Sequence, residues 1–113
     1  MGNWGTRLQD NDRAMNIIDH FKDLEAPERP SVNDMVQTAL SIDAEYEDSE
    51  FEGTLGLFEW LMQQDLDIKE YEYLVYLFLA SELNEQKLGT WKEPSARRQA
   101  LITFRKAFTK HIQ

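Results

Sequence analysis

The chain has 113 residues, 42% hydrophobic and 12% aromatic, enough apolar material for one packed domain and too much for global disorder. It contains no cysteine, which excludes disulfides, thiolate metal sites and cysteine nucleophiles. The net charge of −9 is uneven: residues 1–90 hold 20 acidic and six basic side chains, a balance of −14, whereas residues 91–113 hold one acidic and six basic, a balance of +5; an acidic body disfavours direct binding of nucleic-acid phosphates.

Residues 1–9 carry no helical period and no charged stretch followed by an apolar one, so the start does not read as a secretory signal. Gly2 and Gly5 bracket Trp4, which is read as an anchor packing this segment onto the rest of the chain. Asp10 or Asn11 is a suitable N-cap for a first helix. Ala14, Ile17, Ile18, Phe21 and Leu24 recur on one face of it, with Asp12, Arg13, Asn16, Asp19, Lys22 and Asp23 turned away. Pro27 and Pro30 break the chain. Ser31, with Asp34 three residues on, caps a second helix whose inner face is Val32, Met35, Val36, Ala39 and Leu40 and whose end falls near Asp43 or Glu45.

Glu45, Glu47, Asp48, Glu50 and Glu52 then place five carboxylates in eight residues, which repel one another and predict a loop or frayed end. A third helix follows with Leu55, Phe58, Leu61 and Met62 inward; Gly53 and Gly56 leave its start open. Trp60 lies off that stripe and is expected to be partly exposed. Residues 69–88 are rich in strand-favouring Tyr71, Tyr73, Val75, Tyr76 and Phe78. No Gly or Pro interrupts the chain from Gln63 to Leu88, however, and the segment is too long for an ordinary strand. It is predicted to be one helix, apolar nearly all round and therefore central and buried, with Gly89 as its C-cap. Pro94 opens a last helix with Leu101, Phe104, Phe108 and Ile112 inward and Arg97, Arg98, Arg105, Lys106 and Lys110 over the rest. The expected architecture is all-α, a single compact bundle of about five helices spanning residues 1–113. The longest apolar run, Tyr73 to Ala80, is far short of the roughly 20 residues of a membrane helix, so a cytoplasmic protein without membrane contact is expected.

The patterns that would carry chemistry do not form. Gly2-x-x-Gly5 has no preceding strand and lacks the third glycine of a dinucleotide loop, and there is no phosphate-binding lysine loop. His20 and His111 are too far apart in sequence for a paired metal motif. Asp10-Asn11-Asp12 lacks the spacing of a calcium loop, and in Asp43-x-Glu45-x-Glu47 the place of the loop glycine is taken by Asp48. No serine sits in a Gly-x-Ser-x-Gly elbow. The reading is of a protein that is not an enzyme and needs no cofactor or metal.

The opening "MGNWGTRLQDNDRAM" resembles the start of a bacterial family of unknown function whose members open Met-Gly-x-Trp-Gly and continue with Asn-Asp-x-Ala. The matching positions are Met1, Gly2, Trp4, Gly5, Asn11, Asp12 and Ala14. More loosely, "AEYEDSEFEG", Ser81-Glu82-Leu83, Trp91 and the basic last helix are similar to later parts of that family, although Ser81 and Trp91 stand further apart here. The resemblance implies a small, mainly helical domain with no assigned catalytic residues, and a toxin-immunity role suggested for some members.

The function expected is a small acidic protein-interaction module, an inhibitor of immunity or anti-defence type that binds and blocks a basic partner protein. Its body would steer the encounter and aromatic anchors would hold it. The contact candidates are Glu45, Glu47, Asp48, Glu50 and Glu52 together with Trp60. The alternatives are a nucleic-acid mimic, which the +5 tail disfavours, and a small-molecule-binding or enzymatic domain with an aromatic pocket. A homodimer built on the complementary acidic body and basic last helix also stays open.

Overall fold

A computed structural model describes residues 8, 11–24, 28, 30–46 and 51–113. Among these, the regular structure is entirely helical: α1 (Asp12–Lys22), α2 (Val32–Glu45), α3 (Glu52–Gln63), a 3-10 turn (Lys69–Tyr71), α4 (Glu72–Glu82), the short α5 (Glu85–Leu88) and α6 (Pro94–His111). The all-α class is as expected, and the Cα radius of gyration of 13.5 Å is that of a compact chain of this length. Trp4 and the two glycines around it lie outside the described residues.

The helix starts read from sequence are formed by local side-chain bonds. The Asn11 side chain accepts from Ala14 N at 2.8 Å, and Ser31 Oγ accepts from Asp34 N at 3.1 Å. Each satisfies one of the backbone N–H groups that a first helical turn leaves without a partner. Pro94 occupies the first turn of α6. Most of the expected inner faces of α1 and α6 are buried (Ala14, Ile17, Ile18, Phe21, Leu101, Phe104 and Phe108), whereas Leu24 and Ile112 at their ends are half-buried and Arg97, expected outside, is buried.

The centre of the molecule is α3, not the segment 69–88. α3 packs against α1, α2 and α6, and every residue from Glu52 to Phe58 is buried. Small side chains explain this. At Gly53 a Cβ would stand 2.7 Å from Ile17 Cδ1 and 2.8 Å from Asp43 Oδ1, so side-chain ends from α1 and α2 fill the space a larger residue would need. Gly53→Ala should therefore destabilise by about 1–3 kcal/mol through overpacking. The better helix propensity of alanine, worth about 1 kcal/mol, is the smaller term. Chemical denaturation measures the balance, and a stabilised Gly53→Ala protein would show that the junction relaxes freely.

α3 ends in a Schellman turn. Asp65 adopts a left-handed φ of 57°, Leu66 N donates to Leu61 O at 3.1 Å and Asp65 N to Met62 O at 2.9 Å. The chain then turns through the 3-10 segment, where the Tyr71 hydroxyl donates to Asn33 Oδ1 at 3.0 Å and ties this corner to α2. Burial, with the nearby Glu70 charge, pushes the Tyr71 phenol above the ordinary 10.0.

Residues 69–88 are neither one helix nor buried all round. α4 stops at Glu82, and Asn84, with extended backbone, caps α5 by accepting from Gln86 N at 2.8 Å. A side chain that competes for backbone donors ends the helix without Gly or Pro. α4 buries Val75, Phe78, Leu79 and Glu82, and leaves Tyr73 79% and Leu77 49% exposed. The helix lies at the edge of the bundle against α6, with apolar residues on both its inner and outer faces. Gly89 follows α5 with right-handed backbone (φ −64°), so it ends the helix without the left-handed turn that favours glycine.

Candidate functional site

The acidic run begins where α2 ends. Glu45 is the last residue of α2 and is exposed; Tyr46 follows as its C-cap and is 52% exposed. Glu47, Asp48 and Glu50 lie outside the described residues. Glu52 and Trp60 are both buried, at 6% and 8% exposure, and neither is a surface contact. The expectation of an exposed Trp60 treated α3 as a helix with one inner stripe and one wet face. Because Gly53 admits Ile17 and Asp43 on the opposite side, α3 has no wet face over its first two turns, and Trp60 joins the core.

What holds the start of the acidic run in place is a carboxylate two residues before Glu45. Asp43 is 5% exposed. Its Oδ1 accepts from Arg13 Nη1 at 3.1 Å and from Gly53 N at 3.0 Å, and its Oδ2 accepts from Thr54 N at 2.8 Å and Thr54 Oγ1 at 2.6 Å. One side chain of α2 thus pairs with a charge on α1 and caps the first turn of α3, where Phe51 offers no side-chain cap of its own. Those four donors commit both oxygens, so Asp43 serves a structural junction.

Arg13, expected on the outer face of α1, is turned inward at 8% exposure. Its counter-charge sits 30 residues along the chain, so helical spacing within α1 could not place it. The guanidinium also lies over the Tyr46 ring, 3.7 Å from the centroid. Tyr46 is therefore an exposed aromatic seated on a cation that is itself fixed from below by Asp43, a contact worth about 0.5–1 kcal/mol at an exposed site. Sequence reasoning overlooked Tyr46, although its position between Glu45 and Glu47 was a usable signal.

A second surface lies on the opposite charge. Tyr73 and Leu77 stand exposed one turn apart on α4. Beside them the hydroxyls of Tyr76 and Thr109 share a hydrogen bond of 2.6 Å across α4 and α6, and the Tyr76 ring meets Phe108 edge-on at 5.6 Å. Arg105, Lys106 and Lys110 of α6 line an open concavity with Tyr76 and Thr109.

The other reactive side chains are in ordinary structural roles. His20 is exposed against the edge of Phe21, and His111 Nε2 donates to Leu66 O at 2.7 Å. Among the described residues no three His, Asp or Glu side chains converge on one position where they could hold a metal ion, and no helix is long and apolar enough to cross a membrane. Compared with protein-family models, curated proteins and solved structures, the chain matches none.

Proposed function

We propose that this protein is a small acidic protein-interaction module that binds a basic partner protein through the end of α2 and the acidic run after it. The observation that carries this reading is Tyr46, 52% exposed at the head of the run and held flat against Arg13. An aromatic ring fixed before contact loses little freedom on binding, which is the property of an interface anchor. Tyr46 takes the place assigned from sequence to Trp60. The carboxylates Glu45, Glu47, Asp48 and Glu50 supply the steering field, which for opposite charges raises association rates by about 10- to 1,000-fold at low salt. The module acts in the cytoplasm by occlusion, without cofactor or catalysis and without binding nucleic acid directly. Blocking a toxin or a defence protein, the role suggested in the family whose opening this chain resembles, is the finer form of the proposal.

A photo-crosslinking amino acid at position 46 tests the reading in cells producing the full chain. The expected adduct is with a basic protein. Neutralising Glu47, Asp48 and Glu50 together should then slow association with that protein by about tenfold at low salt and change dissociation little. Adducts to nucleic acid, or an association rate that ignores both salt and the triple substitution, would overturn it.

A further inference from the structure

We propose that the α4/α6 face is a second, independent docking surface, and that its occupant is an acidic amphipathic helix of a partner protein. Three observations converge on that face. Tyr73 and Leu77 are two of the three large hydrophobic side chains exposed among the described residues, and with the exposed Ala80 they continue one stripe at helical spacing along α4. Arg105, Lys106 and Lys110 flank it, and none of the three pairs with a carboxylate of any described residue. Finally, Tyr76, the chain neighbour of Leu77, joins the two helices through its hydroxyl bond to Thr109, and these two residues line one concavity with the three cations.

The charge pattern selects the occupant. Three cations on one helix face, without a carboxylate partner among the described residues, are complementary to an external anion. A long polyanion or an anionic membrane would also meet the −14 body and be repelled, whereas a short acidic segment touches only this face. A second copy packed two-fold on the same face would bring its own Arg105, Lys106 and Lys110 against like charges. The stripe from Tyr73 to Ala80 spans about 10 Å, two turns of helix, and suits apolar anchors spaced three or four apart with acids on one flank. This surface shares no residue with the Tyr46 site, so either proposal can fail alone.

The probe is a synthetic 16-residue helix with leucines at i, i+3, i+7 and glutamates along one flank, titrated into the isotope-labelled full chain at about 50 mM salt. Saturable shifts centred on residues 73–80 and 105–113 are expected, with affinity falling as salt rises. Leu77→Glu, and Arg105→Glu with Lys106→Glu, should each weaken binding by about tenfold or more while the helical spectrum stays unchanged, since all three positions are exposed. The inference is overturned if a lysine-flanked version binds equally well, if shifts fall elsewhere, if no binding is seen below about 1 mM, or if sedimentation shows the face already covered by a second copy.

Discussion

Asp43→Ala is expected to lower the unfolding free energy by about 3–5 kcal/mol, a large share of the roughly 5–15 kcal/mol that holds such a domain together. The loss has two parts. Removing the carboxylate takes from the Arg13 guanidinium, whose side chain is 7% exposed, a buried partner at 3.1 Å. It also strips the acceptor from Gly53 N and Thr54 N at the start of α3, a cap worth about 1 kcal/mol. Thermal unfolding should fall by about 10–20 °C. Asp43→Asn should recover little, because one amide end would present a donor to donors. Combining Asp43→Ala with Arg13→Met should cost less than the two changes added, by about 1–3 kcal/mol, since the second removes the charge that Asp43 faces. Strict additivity would show that the two side chains do not act as a pair.

Glu82→Ala is the second large effect, about 3 kcal/mol. Glu82 has a side-chain exposure of 2% and faces two cations, Lys87 Nζ at 3.1 Å and Arg97 Nη2 at 3.6 Å. Lys87 is 26% exposed and can turn to water, which softens its share. Arg97 is 6% exposed and sits over the Trp91 ring, 4.1 Å from the centroid, so its charge stays in place and becomes costly. The damage should be regional: amide exchange should quicken across α5 and the first turns of α6 before it quickens in α1. Uniform loosening of all helices would assign Glu82 to global packing instead.

Both residues mark where reading the sequence stops. The helix starts at Asn11 and Ser31, the stripe of α1 and the buried face of α6 were legible because each depends on side chains three or four positions apart. Arg13, Asp43 and Glu82 were not, because their partners lie on other helices and helical spacing marks any charge as outward. α4 failed differently. A helix apolar on every side has no moment to show which face is inward, and its outer residues Tyr73 and Leu77 read like core. α3 failed through Gly53, which looks like a helix weakness in sequence and acts as a contact point in the fold. At the proposed site, the composition of the acidic run was visible, but the exposed aromatic at its head is Tyr46 rather than Trp60.

Tyr46, Arg13 and Asp43 form a stack from solvent to core, and the last of them joins three helices. A ligand that grips Tyr46 therefore also clamps the junction beneath it, and its binding energy is partly returned as resistance to unfolding. Affinity and fold stability are thermodynamically linked there. If Tyr46 is the anchor proposed, a substitution that loosens α1 from α3 would blunt recognition without touching the ligand, and a tight ligand would mask the defects of a weakened junction.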